Sequence, residues 1–339
     1  MKLTVPFPFL LGITAAQLLT WPAFAATQLQ GAGATFPSPL YQRWIAEYTK
    51  SNPDLQINYQ GIGSGAGINQ FTKNLVAFGA SDAAMKDEEI TAVKRGVILI
   101  PATAGSIVLV YRLPGVNNLK LSRKAYTDIF LGKITRWNDP AIIQTNNKVQ
   151  LPNIPIIVCS RSDSSGTTFV FTKHLSAVSP EFKDQVGEGT TVTWPTGLAG
   201  KGNDGVTALI KQNDGAIGYV EYGYAKNNKL TFAALQNKSG EFITATTASG
   251  TATLATTQFQ SDMLRAWPSD PDGKDTYPIA TFTWLLLYKK YENKEQGEAV
   301  KKFVNFGLTE GQKFAEDLGY LPLPKEVVEK DLAALKRVE

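Results

Sequence analysis

Ser160-Arg161-Ser162-Asp163-Ser164-Ser165-Gly166-Thr167-Thr168-Phe169 follows a β-branched apolar run, Ile154 to Val158, and leads into Phe169-Val170-Phe171. A strand, a short hydroxyl- and glycine-rich turn and a helix start would gather free backbone N–H groups and Ser/Thr hydroxyls around one point. Arg161 adds a planar, permanently charged fork suited to oxyanions. The stretch reads as an anion cradle at the end of a βα unit. Taken alone, it fits better an ordinary strand-to-helix turn in which Ser and Thr only cap the helix, because such turns are common.

The rest of the chain repeats that grammar. Gly31-Ala32-Gly33-Ala34-Thr35-Phe36-Pro37 precedes Leu40, Tyr41, Trp44, Ile45 and Tyr48 at helical spacing. Leu55 to Tyr59 alternates as a strand and runs into Gly61-Ile62-Gly63-Ser64-Gly65-Ala66-Gly67, followed by a helix over 68–75. A third short strand, Val76-Ala77-Phe78, ends in the turn Gly79-Ala80-Ser81-Asp82. Short strands ending in small-residue turns predict an α/β sheet with ligands at the strand ends. Further on, 97–100 and 106–111 read as two strands joined by the turn Pro101 to Gly105, and 122–137 as helical until near Gly132. Lys201-Gly202-Asn203-Asp204-Gly205 reads as a tight turn before a helix, and 216–220 as a strand with small residues. The Thr-, Ala- and Ser-rich segment 241–257 reads as an irregular excursion, 279–288 as an apolar strand, and 295–306, 310–318 and 325–335 as helices.

Composition narrows the function classes. With 339 residues, 43% hydrophobic and 19% charged, the chain has room for about two domains. A formal net charge of +4 over this length is no nucleic-acid footprint. Lys2, the apolar run 6–19 and Ala23-Phe24-Ala25 predict a cleavable signal peptide over 1–25. No cysteine stands near the cleavage site, so no lipid anchor is expected. Cys159 is the single cysteine, which leaves no disulfide, and its neighbours suit a small packed hydrophobe. His174 is the single histidine, which leaves no His-rich metal site and no cofactor motif.

The glycine-rich turns do not spell a nucleotide or hydrolase motif. Gly31 to Phe36 lacks the third glycine of a dinucleotide fingerprint, and no Gly-Lys-[Ser/Thr] follows. Around Ser64, Ile62 and Ala66 occupy the places where a nucleophile elbow needs glycine. As binding turns they make sense: Thr35, Ser64, Ser165 and Thr167 offer hydroxyls, Phe36 and Gly166 offer N–H groups, and Arg161 offers charge. Asp82 is useful there if the ligand still carries a proton, because a carboxylate accepts that hydrogen bond and repels a fully deprotonated oxyanion. Its other reading is a helix N-cap.

Gly31-Ala-Gly-Ala-Thr-Phe-Pro37, Tyr59-Gln-Gly-Ile-Gly-Ser64, Phe78-Gly-Ala-Ser-Asp-Ala83, Ser165-Gly-Thr167, and Lys201 to Gly205 with Gly215 to Glu221 resemble, in order, the phosphate-binding protein of the high-affinity phosphate ABC transporter. The resemblance implies a type II periplasmic-binding-protein fold: two α/β domains joined by a two-strand hinge, with the ligand cleft between them. It places domain I at 26–102 plus 278–339 and domain II at 103–277. It implies a non-enzymatic monomer in the periplasm that closes on inorganic phosphate and delivers it to an inner-membrane permease. Carried over by motif, the ligand residues are Thr35, Phe36, Ser64, Asp82, Arg161, Ser165, Gly166 and Thr167, with Asp163 holding the arginine. The chain departs from the family at Gly65-Ala66-Gly67, where a second serine is common, and at Ser160, where some members have another arginine. Rival readings are a receptor for sulfate, molybdate, tungstate or arsenate, and, from another class, an exported phosphatase built on Asp163, Ser164 or Ser165, and His174.

Overall fold

The computed structural model describes Met1 and residues 27–259 and 264–339; the expected signal peptide lies, apart from Met1, outside the described residues. Strands run in chain order as β1 Thr27–Gly33, β2 Leu55–Gly61, β3 Phe78–Ser81, β4 Val97–Tyr111, β5 Lys120–Leu121 and β6 Ile157–Arg161. They continue as β7 Leu198–Gly200, β8 Ala216–Glu221, β9 Thr231–Phe232, β10 Ala234–Gln236, β11 Phe242–Ile243 and β12 Ala280–Tyr288. Pairing gives the order β2-β1-β3-β12-β4-β8-β6-β7, with β9 also on β4 and a small sheet of β11, β10 and β5.

Two parallel blocks are visible in that order. β1 pairs in parallel with β2 and β3, and β6 pairs in parallel with β7 and β8. β4 joins them: residues 97–106 run antiparallel to β12, and residues 107–111 run antiparallel to β8. Both β4 and β12 are buried along their whole length, as expected of near-continuous apolar runs covered on both faces. The fold is thus two α/β domains linked through the central strands.

One expectation is corrected here. Residues 97–111 are a single strand, not two strands around a turn at Pro101 to Gly105. Pro101 has no N–H for a ladder, but the register against β12 slips between Thr283 and Trp284, so that Ala102 is bulged out. Gln312 Nε2 donates to the Ala102 carbonyl at 2.9 Å, and Ala104 and Leu321 exchange backbone bonds at 3.2 and 2.7 Å. Gly105 is not a turn residue either: a Cβ there would sit 2.8 Å from the Phe36 ring.

A second correction concerns the segment read as irregular. Residues Thr247–Ala255 form a helix, with Thr246 and Ser249 in a reciprocal capping box and Ser249, Gly250, Thr253 and Leu254 buried. Residues 260–263 of the neighbouring stretch lie outside the described residues. Other helices match the sequence pattern, including Ser38–Lys50 with Leu40, Tyr41 and Trp44 buried, and Lys325–Leu335. The short helices Pro140–Ile143, Pro180–Gln185 and Tyr222–Asn227 lie outside that pattern. The helix Gly202–Gln212 already includes most of the turn read at Lys201 to Gly205, and Glu310–Phe314 is a 3-10 turn ahead of Ala315–Leu318. Trp44 donates from Nε1 to the Gly311 carbonyl at 2.9 Å, which ties the first helix to the C-terminal segment.

Candidate anion-binding site

The C-terminal ends of β1, β2, β3 and β6 converge, and each delivers a turn that opens toward the same point. Thr35 and Phe36 follow β1 and precede the helix Ser38–Lys50. Ser64 begins the helix Ser64–Thr72 immediately after β2, with Gly63 at φ 96° as its cap; only glycine adopts that turn without strain. Asp82 follows β3, and Arg161 ends β6. Ser165 caps the helix Gly166–Val178, its Oγ accepting the Thr168 N–H at 3.0 Å. All eight carried-over residues are brought together and buried, Arg161 being 6% exposed. The first-turn N–H groups of Gly166 and Thr167 have no partner within their helix and face an anion favourably.

Both readings of the Ser165 turn therefore hold at once: the serine caps the helix, and because its oxygen is the acceptor in that bond its own proton is free to donate. Asp82 is a different case. The next helix, Asp87–Ala92, is capped at Lys86, so Asp82 is no N-cap. Its Oδ1 accepts from Thr283 Oγ1 at 2.8 Å, and its backbone N–H donates to Ser64 Oγ at 3.1 Å. Burial pushes the Asp82 carboxyl up to about 7, against the opposing pull of the Thr283 hydroxyl, the Arg161 charge and the Thr167 hydroxyl.

Arg161 is held from behind. Its Nε and Nη2 donate to Asp163 Oδ1 and Oδ2 at 2.8 and 2.6 Å, a two-pronged pair, while Nη1 reaches Thr167 Oγ1 at 3.3 Å. Burial raises the Asp163 carboxyl, but the Arg161 fork and charge, with the Gly202 N–H at 2.9 Å, outweigh it and leave Asp163 below the usual carboxylate range. Tyr219 Oη accepts the Arg161 backbone N–H at 3.2 Å and shares a hydrogen bond with Thr168 Oγ1 at 2.7 Å.

The two sides of the cleft touch. Gly65 N–H donates to the Ser164 carbonyl at 3.0 Å, and Tyr224 Oη donates to the Thr35 carbonyl at 2.7 Å. A Cβ on Gly65 would collide with the Ser164 hydroxyl, so only glycine fits at this approach. Gly166 is equally constrained: a Cβ there would meet Ser64 Oγ and lie 2.6 Å from Asp82 Cβ and 2.7 Å from Asp82 Oδ2. Gly166→Ala is expected to wedge the two sides apart and weaken anion binding about 10- to 100-fold, from the ~1–3 kcal/mol that overpacking costs. A titration of that variant indistinguishable from the parent chain would refute the close approach.

Two residues escaped assignment from sequence. Asn203 Nδ2 donates to Thr35 Oγ1 at 2.9 Å and to Thr167 Oγ1 at 3.4 Å, and Thr283 orients Asp82 as described. Asn203 lies in a quoted motif, Lys201 to Gly205, so its position was visible though its role was not. By contrast, His174 bonds through Nε2 to Tyr126 Oη at 2.9 Å, and burial pushes its imidazole down to about 4. It is engaged away from the cradle. Cys159 is buried, and burial pushes its thiol up to about 11.

With this geometry in place, relatives decide the family. The family model described as a PBP superfamily domain matches residues 22–310. The chain is 43% identical over 314 residues to the phosphate-binding protein PstS of Pasteurella multocida, covering 92% of this chain and 90% of that protein. It is 41% identical over 312 residues to the phosphate-binding protein PstS of Haemophilus influenzae, covering 91% and 92%. The chain belongs to the PstS family of the PBP superfamily. Among solved structures, a high-affinity periplasmic phosphate-binding protein, PfluDING, bound with phosphate, superposes with a TM-score of 0.74 at 21% identity, covering 91% of this chain and 93% of that one. That likeness shows a shared PBP fold, in keeping with the PstS assignment.

Proposed function

We propose that this chain is an extracytoplasmic receptor for inorganic phosphate, which its two domains enclose and hand to an inner-membrane ABC permease without chemical change. The observation that carries it is the composition of the buried cleft. Four hydroxyls, two helix-start N–H groups and one arginine fork surround a point that also faces one carboxylate, Asp82. Stripping water from a doubly charged anion is costly, and directed donors in a closed site offset that cost. Asp82 restricts the ligand to one that brings a proton, as phosphate does near neutrality and sulfate does not.

In this reading the ligands are Thr35, Phe36, Ser64, Asp82, Arg161, Ser165, Gly166 and Thr167, with Asp163 fixing the arginine. Domain I comprises 26–102 and 278–339 and domain II 103–277, so Thr35, Ser64 and Asp82 close against Arg161 and the Ser165 turn. Residues 1–25 act as a cleavable signal that delivers an unlipidated monomer to the periplasm, with no cofactor. Among the described residues no helix is long and apolar enough to cross a membrane.

Calorimetric titration of the mature, phosphate-stripped chain at pH 8 tests the reading. Phosphate is expected to bind at least about tenfold more tightly than sulfate, because the bare sulfate dianion meets an Asp82 that is mostly ionised at this pH. A preference for sulfate, or no binding of either anion, would overturn the specificity and leave only the fold.

A further inference from the structure

We infer that Asn203 is the positioning residue that fixes the cradle's threonine hydroxyls as donors, an inference that rests on the phosphate-receptor reading above. A hydroxyl has one proton and two acceptor positions. Thr35 Oγ1 accepts twice from the same residue, from the Asn203 backbone N–H at 3.2 Å and from Asn203 Nδ2 at 2.9 Å. With both acceptor positions filled, the Thr35 proton has to point elsewhere. Thr167 Oγ1 is treated likewise, accepting from Arg161 Nη1 at 3.3 Å and Asn203 Nδ2 at 3.4 Å.

The amide cannot be read the other way round. Asn203 Oδ1 accepts the Glu221 backbone N–H at 2.9 Å, which leaves Nδ2 as the group facing the threonines. Asn203 is fully buried, so no water competes for these bonds. Its side chain also spans the cleft, because Thr35 follows β1 while Thr167 and Glu221 belong to the β6 and β8 side. Hydroxyls on an oxyanion site are ambiguous partners, able to donate or to accept. Asn203 removes that ambiguity at two of them and does so only when the two sides meet. Thr35 is thereby set to donate before the ligand arrives, while the Thr167 proton is turned to the Asp82 carboxylate, and a ligand oxygen that needs an acceptor finds none at either hydroxyl.

The test is a double-mutant cycle read by calorimetry with inorganic phosphate on the mature chain, alongside thermal unfolding of each ligand-free variant. Asn203→Ala is expected to lose about tenfold in affinity in the parent chain and less than about threefold in a Thr35→Val background, because its effect passes through the hydroxyl. Asn203→Asp keeps an oxygen for the Glu221 N–H but offers an acceptor where a donor stood. It is expected to lose about 100-fold or more, chiefly as faster dissociation. A purely structural role for Asn203 would lower affinity equally in both backgrounds, and that additive result overturns the inference. Binding by Asn203→Asp within threefold of the parent overturns it as well. If the parent chain itself fails to bind phosphate, the receptor reading is what has failed. If Asn203→Asp does not fold, the alanine cycle still decides.

Discussion

Arg161→Ala is expected to weaken phosphate binding by about 1,000-fold, since losing one partner of a buried ion pair costs ~3–5 kcal/mol and each 1.4 kcal/mol is tenfold. The Arg161 side chain is 1% exposed and that of Asp163 10%, so water cannot take over the lost bonds. The truncation does more than remove a ligand contact. It leaves the Asp163 carboxylate facing the anion with the Gly202 N–H and its own backbone N–H but no charge partner, and it removes the charge that holds Asp82 down against burial. Part of the cost falls on the ligand-free fold, so its melting temperature should drop as well. Arg161→Lys separates charge from geometry: an ammonium keeps the charge but cannot bond Asp163 through two parallel N–H groups while a third reaches Thr167. Its loss should fall between those of alanine and the parent. Calorimetry on both variants, with thermal unfolding beside it, is the check. Full affinity in Arg161→Ala would remove the arginine from the site and with it the anion reading of the Ser165 turn.

How much of this was legible beforehand follows the range of the interactions. The Ser160 to Phe169 turn is local: strand, hydroxyls, glycine and helix start are contiguous, and the Arg161–Asp163 pair spans two positions. The turns after β1 and β2 were legible for the same reason, but the third strand runs later than its apolar residues suggest: Gly79 to Ser81, which read as turn, belong to β3 and pair with β1 and β12. Asn203 and Thr283 were not assigned a role, because their partners lie 168 and 201 positions away and no local pattern announces them. The central strand failed for a different reason. Pro101 and Gly105 are strong breakers in isolation, but the β12 bulge and the bonds from Gln312 and Leu321 satisfy the backbone around them, and Gly105 makes room for Phe36. Similarly, the helix at 247–255 is built from Thr, Ala, Ser and Gly with Leu254 as its one large apolar residue. Its capping box and the close fit of Gly250 on Leu321, where a Cβ would lie 2.6 Å from the leucine, supply what periodicity lacks.

Asp82→Asn is expected to reverse much of the discrimination against sulfate while costing phosphate comparatively little. In the parent chain, Thr283 occupies Asp82 Oδ1, and Oδ2 lies on the side where Gly166 approaches. An ionised Oδ2 accepts a hydrogen bond from the hydroxyl of hydrogen phosphate but opposes a bare dianion. The amide is nearly isosteric and uncharged, so sulfate should gain about tenfold at pH 8, and phosphate should lose about tenfold with its charge-assisted bond. The carboxyl's raised position adds a pH signature. With its folded value near 7 and an ordinary value of 3.8, Asp82 in the ligand-free protein contributes stability that is complete below about 3.8 and is lost as pH rises through about 7. Asp82→Asn should therefore melt higher than the parent at pH 8 and lose that advantage by pH 4. Sulfate binding to the parent should strengthen about tenfold per pH unit on acidification while Asp82 remains ionised, and level off once it is neutral. Phosphate brings its own proton and should show a shallower slope. The pair of titrations across pH 5 to 8, on parent and Asp82→Asn, separates the two roles. Sulfate affinity that ignores both the substitution and the pH would mean that Asp82 is a buried structural carboxyl, and the basis of selectivity would have to lie in the donors alone.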